Sequence, residues 1–167
     1  MARRMREPAG QQEAFSELET TVPPKNPAHD RQPGLKWKMF EALIGYVLYQ
    51  GYQNVARVMP QQVVGRRGVG GGKYVADWVV EHRGEKVLVS VKWQSSNGSF
   101  DVKVDAEADH LSYVVANTDA SRAVLVLGGG AFSRKVSNRW LDGAHRVKGV
   151  TVMGTDKFLD MAYGCEL

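Results

Sequence analysis

Asp77 and Lys92 stand out by their surroundings, each being a charged residue inside an otherwise apolar run. Asp77 lies among Val75, Ala76, Trp78 and Val79. Lys92 lies between Val91 and Trp93, with Ser90 and Gln94 two residues to either side. Side chains alternate across a strand, so Ser90, Lys92 and Gln94 share one face, and Val87, Val89, Val91 and Trp93 the other. The second set is apolar throughout and is predicted to pack into the core. An antiparallel hairpin brings Asp77 and Lys92 side by side. Two readings follow. One is a cross-strand ion pair on a solvated face, worth about 0.2–1 kcal/mol. The other is a metal-dependent phosphodiesterase site. There Asp77 holds Mg²⁺, a hard cation that prefers carboxylate oxygen, and Lys92 orients or deprotonates the attacking water and offsets phosphate charge. Spacing alone leaves both open.

The elements that position these residues are legible in outline. Phe40, Leu43, Ile44, Val47 and Leu48 recur at helical spacing and predict a helix over Lys36–Gln50, stopped by Gly51. Val55, Arg57 and Met59 predict a short strand ending at Pro60. A glycine- and arginine-rich loop, Gly65–Lys73, precedes two β-rich runs, Tyr74–His82 and Lys86–Gln94, joined as a hairpin through Arg83-Gly84-Glu85. After the loop Ser95–Ser99, the positions of Leu111, Val114 and Val115 predict a helix within Asp101–Asn117. Ala123–Leu127 is uninterrupted apolar, the pattern of a strand buried on both faces. A helix over Ser133–Leu141, a strand over Val150–Met153 and a helix over Asp156–Tyr163 complete the chain. The expected class is α/β.

The chain has 167 residues, 43% hydrophobic and 24% charged, with a formal net charge of +4. These are values of one globular core. Residues 1–34 differ, holding Pro8, Pro23, Pro24, Pro27 and Pro33 and no sustained apolar period, and are expected to form a flexible arm before a domain over 35–167. The longest apolar run, Ala42–Tyr49, is far short of the roughly 18 residues of a membrane helix. Met1–Gly10 has no apolar core of a signal peptide. The expectation is a cytoplasmic protein with no membrane partner. A lone cysteine, Cys165, excludes an internal disulfide and a cysteine-built zinc site. The glycine loop is no Walker A motif, because Arg67 stands six residues before Lys73 and Tyr74 follows it. His29, His82, His110 and His145 show no metal-ligand spacing.

Asp77 followed by Ser90-Val91-Lys92 on the next strand resembles the PD-(D/E)XK nuclease signature. The order helix, three strands, helix, strand over Leu35–Phe158 is similar to that family's αβββαβ restriction-endonuclease-like core, a mixed central sheet flanked by helices. Lys92-Trp93-Gln94 followed by Gly98-Ser99 resembles a small bacterial and phage subset of it. The resemblance implies that Asp77 is the metal-binding aspartate, Lys92 the catalytic lysine, Val91 a ligand through its backbone carbonyl, and Glu41 an acid projected from the first helix toward the metal. It implies that Gln94 helps hold substrate or lysine. The expected cofactor is Mg²⁺, with Mn²⁺ as a substitute. The expected activity is hydrolysis of DNA phosphodiester bonds by a restriction or phage-type endonuclease, leaving 5′-phosphate and 3′-hydroxyl ends.

One position departs from the signature: Ser90 stands where the family has Asp or Glu, and a hydroxyl supplies no anionic ligand. Glu41 with Asp77, helped by Asp101, is the expected compensation. A catalytically inactive DNA-binding or assembly subunit is the alternative that Ser90 keeps open, and a junction- or RNA-directed nuclease is another. DNA contact needs cations for phosphates. Arg66, Arg67 and Lys73 form one group, and Arg134, Lys135, Arg139, Arg146 and Lys148 a second, a solvated loop and a solvated helix face being the plain alternatives. One candidate site per chain implies a homodimer for double-strand cutting, or else nicking.

Overall fold

A computed structural model of the chain describes residues 35–68, 70–94, 100–129, 137–141 and 146–167, and of Phe100, Asp101, Ser137 and Asn138 the backbone only. The expected arm over 1–34 lies outside the described residues.

The chain forms α1 (Leu35–Tyr52), β1 (Arg57–Arg66), β2 (Lys73–His82), β3 (Glu85–Trp93), α2 (Phe100–Ala116), β4 (Arg122–Gly128), a π-helical turn (Ser137–Leu141), β5 (Val150–Gly154) and α3 (Thr155–Tyr163). The strands make one mixed sheet in the order β1-β2-β3-β4-β5. β2 pairs antiparallel with β1 on one side and β3 on the other, and β3, β4 and β5 run parallel. This is the expected α/β architecture of a mixed sheet flanked by helices.

Two apolar layers follow from the alternation of side chains. Val80, Val87, Val89, Val91, Val124 and Val126 point to one face and pack under Phe40, Ile44, Val47 and Leu48 of α1 and Phe158 of α3. Val79, Leu88, Leu125 and Leu127 point to the other and pack under Val104, Ala108, Leu111 and Val114 of α2. Each fully buried aliphatic or aromatic side chain contributes about 1.5–3 kcal/mol. β4 is buried from Ala123 to Gly128 because both layers close on it. The polar face of β3 is therefore roofed by α2 rather than left to solvent: Leu88 shares that face, and Ser90 is 1% exposed.

Four boundaries differ from the sequence expectation. The first strand does not end at Pro60 but continues to Arg66. β1 is an edge strand, where a residue without an N–H is tolerated. The hairpin turn is two residues, not three, since Glu85 pairs with His82. Arg83 and Gly84 both take positive φ, 51° and 81°, the handedness that suits a tight hairpin. The first helix is not stopped by Gly51 but continues to Tyr52. Of the helix expected over Ser133–Leu141, residues 133–136 lie outside the described residues and the described part is the π-helical turn.

Close approach of α1 to β2 is fixed by Gly45, where an added Cβ would overlap the Trp78 ring. Gly45→Ala is expected to cost about 1–3 kcal/mol through overpacking, read as a lower urea midpoint at unchanged slope. An unchanged midpoint would show that the indole has room to move.

Candidate active site

The site forms where two strands part. β2 and β3 pair from His82↔Glu85 to Trp78↔Val89, and the ladder stops there. Just past β3, Gln94 gives its N–H to Gly128 on the β4 side. Alternate residues face opposite edges, so Val89, Val91 and Trp93 direct their backbone groups toward β2. Past the parting, Val91 meets no β2 backbone. Its N–H donates instead to Asp77 Oδ2 at 2.7 Å. The Val91 carbonyl points to the same opening.

The alternation of β2 slips at this place. Tyr74 and Ala76 lie in the α2 layer, as does Val79, while Trp78 and Val80 belong to the α1 layer. Across the ladder, Gln61 sits opposite Asp77, between the pairs Pro60↔Trp78 and Gln62↔Ala76, with a left-handed φ of 48°. A local irregularity of this kind re-aims a side chain, here Asp77.

Behind Asp77 lies a network centred on Glu107 of α2. Its Oε1 accepts from Tyr74 Oη at 2.7 Å and Ser90 Oγ at 2.8 Å, and lies 3.3 Å from Lys92 Nζ. Ser90 Oγ also lies 3.3 Å from Asp77 Oδ2, and accepts from Lys92 Nζ at 3.4 Å. A hydroxyl has one proton to give, and the shorter contact assigns it to Glu107. Burial works against the Glu107 carboxylate, but the Lys92 charge and the three donors outweigh it and hold the group below the usual range. Burial pushes the Tyr74 hydroxyl upward, reinforced by the Glu107 charge. Burial also raises Asp77, against the Val91 N–H and Lys92, which favour its ionised form, while the Glu107 charge adds to the rise.

On the other side, Gln61 Nε2 donates to Glu41 Oε1, tying α1 to β1. Partial burial raises Glu41, and the Asp77 charge raises it further, which places the two carboxylates within each other's field. The oxygen donors facing the opening are thus Asp77, Glu41 and the Val91 carbonyl. Among the described residues no group of three or more Asp, Glu, His or Cys side chains is arranged to hold an ion. Mg²⁺ is usually bound through one or two carboxylates with water and phosphate oxygens rather than in an all-protein cage, so this donor set fits it.

The structure therefore brings together Asp77, Ser90 and Lys92, with the Val91 backbone, and brings Glu41 toward them. Gln94 follows the end of β3 and is tied to β4 through its backbone. The side chain of Asp101, and Arg134 and Lys135, lie outside the described residues. Arg66 and Lys73 pair across β1 and β2, exposed, and Arg67 continues beyond them with its N–H on Gly72. They stand about 13 Å along the strand from Asp77, at roughly 3.3 Å per residue. Arg139 is ion-paired with Asp105 at 3.1 Å and lies over the Trp140 ring, whose Nε1 donates to the same carboxylate. Its cation is thus engaged within the chain. Arg146 and Lys148 are exposed near β5.

Sequence reasoning missed Glu107, Gln61 and Tyr74. Glu107 had a signal: on the expected helix it falls on the stripe of Val104, Ala108 and Leu111, an acid on a face meant for the core. Gln61 fell beyond the strand end placed at Pro60.

No curated protein sequence matches this one. Among solved structures, protein VC1899 from Vibrio cholerae aligns at 14% identity and a TM-score of 0.45, covering 75% of this chain and 32% of that one. The Protein of Unknown Function AF1548 aligns at 11% and 0.43, covering 75% and 65%. The small subunit (R.BspD6I2) of the heterodimeric restriction endonuclease R.BspD6I aligns at 14% and 0.46, covering 91% and 75%. The chain spans about a third of the length of the Vibrio cholerae protein and just under two thirds of the second. In sequence, residues 37–165 match the family model described as a PD-(D/E)XK nuclease superfamily domain. That match takes in α1, every strand and the whole Asp77–Glu107 network, and by it this chain belongs to the PD-(D/E)XK nuclease superfamily.

Proposed function

We propose that the protein is a Mg²⁺-dependent DNA endonuclease whose catalytic groups are Asp77, Lys92 and Glu41. The observation that supports this reading best is the parting of β2 and β3. It sets the Asp77 carboxylate, the Val91 carbonyl and the Lys92 ammonium around one opening, next to Glu41. Mg²⁺ held by Asp77 and Glu41 supplies charge to a phosphate oxygen and acidity to a bound water. Lys92 orients the attacking water and offsets charge on the phosphate as the bond to the leaving oxygen breaks. Glu107 stands in for the acid absent at Ser90. It lies against that hydroxyl, keeps Lys92 aimed, and brings a carboxylate to the place where the signature puts one. This weakens the case for an inert DNA-binding subunit, which rested on Ser90. Arg66, Arg67 and Lys73 are proposed to meet the DNA backbone along β1 and β2.

The protein is expected to nick supercoiled plasmid with Mg²⁺ or Mn²⁺ and not with EDTA, and Lys92→Ala is expected to lower the rate about 10²–10⁴-fold. Nicking unchanged by Lys92→Ala would remove the lysine from the reaction.

The role of Glu107 is tested by moving the acid. Ser90→Asp alone crowds a third carboxylate between Asp77 and Glu107 and is expected to lose activity, whereas Ser90→Asp with Glu107→Ala recovers part of it. If the double variant is no better than Ser90→Asp, Glu107 does not occupy the role of the missing acid.

Asp77 ties function to stability. Its folded pKa lies above its unfolded one, so its contribution to stability is present below the unfolded value and declines as pH rises through the folded one. Asp77→Asn removes that cost. Its melting temperature is expected to exceed that of the unsubstituted chain at pH 8, with the gap closing as pH falls into the carboxylate range. Mg²⁺ is expected to raise the melting temperature of the unsubstituted chain but not of the variant. An equal Mg²⁺ response in both would show that the metal binds elsewhere.

A further inference from the structure

The flank of α1 beside β2 carries exposed aromatic rings. Phe40, Ile44, Val47 and Leu48 are buried, while Trp37, Tyr46 and Tyr49 are 37%, 59% and 47% exposed. These three rings, with Trp78 of β2, line an open groove of about 600 Å³. Tyr49 meets Trp78 edge-on with centroids 5.9 Å apart, and Trp78 lies against the bare backbone at Gly45, so this part of the wall is held firmly. The rest of the wall is polar: Lys38, and the hydrogen-bonded pair Glu41 and Gln61. Groove and candidate active site therefore share Glu41.

We propose that this groove seats an unpaired base of the nucleic-acid strand being cut, stacked against Tyr46 and its neighbouring rings. The inference rests on the nuclease reading and deepens it by naming the substrate class: DNA with single-stranded or splayed bases beside the scissile phosphate, in preference to blunt, fully paired duplex. The shared wall chooses the occupant. A molecule filling the groove reaches Glu41, so in a nuclease it must be compatible with bound substrate, and the substrate strand itself meets that condition. A second copy of the chain seated there would cover Glu41 and obstruct the site. The groove is open, so a flat base can lie against its rings without being enclosed. Aromatic faces stack on any base, which gives binding without sequence readout. Lys38 stands in the wall of the groove and offers one cation to the phosphates of a strand running past it. Bases inside an intact duplex are already stacked and reach such a wall only after extrusion, at a cost of about a few kcal/mol.

The test measures binding of the full chain in EDTA, without cleavage, to fluorescein-labelled oligothymidylate and to a blunt duplex of equal length. The single strand is expected to bind more tightly. Tyr46→Ala is expected to weaken it about 5- to 150-fold, the loss of one base stack, with duplex binding unchanged. Tyr46→Phe, which keeps the ring, is expected to restore it. Tyr46 is exposed, so a melting curve like that of the unsubstituted chain is expected for both variants. Three results would each overturn the inference: Tyr46→Ala binding the single strand as well as the unsubstituted chain; equal losses on strand and duplex; or a dimer in sedimentation that Tyr46→Ala converts to monomer, marking the groove as a self-contact. Failure of the nuclease reading would show separately, as absence of metal-dependent nicking, while the ring effect on binding stands or falls in EDTA.

Discussion

A single hydrogen bond, from the Val91 N–H to Asp77 Oδ2 at 2.7 Å, stands where a backbone ladder would otherwise continue. A buried amide must be paired, and once β2 and β3 separate beyond Trp78↔Val89, a side chain has to take over from the strand. Asp77 does so. The same bond therefore stabilises the end of the hairpin and fixes the carboxylate in the opening. The slip in β2, the left-handed Gln61 across from it and the gap between strands are parts of one local distortion, and the site exists because the sheet tolerates it.

Around that opening the charges are unevenly matched. Asp77, Glu41 and Glu107 gather near one Lys92, and their ionisation reflects the shares they receive. Glu107 has the lysine and two hydroxyl donors and is held below the usual carboxylate range. Asp77 and Glu41 are left above it, first by burial, then by the Glu107 charge on Asp77 and the Asp77 charge on Glu41. The less well matched carboxylates are Asp77 and Glu41, on the side of the network away from Glu107. A divalent cation bound between them, as proposed, would relieve that mismatch. The ion-pair partner of Lys92 is Glu107 of α2 at 3.3 Å, with the lysine side chain 29% exposed, so the lysine is not held in a simple cross-strand pair with Asp77.

What could be read from the amino-acid order was what repeats. The period-two faces of β3, the doubly buried β4 and the helical stripe of α1 each impose several residues on one pattern, so single exceptions do not hide them. Asp77 and Lys92 were visible as breaks in those patterns. The irregularities that make the site were not. A strict alternation carried through β2 cannot show the slip at Asp77, and proline as a strand breaker hid the second half of β1 and with it Gln61. Proline breaks a strand only where its missing N–H is needed, and on an edge it is not. Glu107 was missed for another reason: its stripe was legible, but what it reaches depends on how α2 lies across β3, a tertiary fact with no local signature.

The edge strand β1 has a further consequence. An open edge offers unpaired backbone groups as a template for another chain. Here Pro60 withholds one donor, Gln61 turns the backbone left-handed, and the register shifts between Val63 and Gly65. Three interruptions in six residues leave no straight run on which a neighbouring strand could template. The distortion that aims Asp77 inward thus also seals that margin of the sheet, so that two molecules do not merge there into one continuous β-structure.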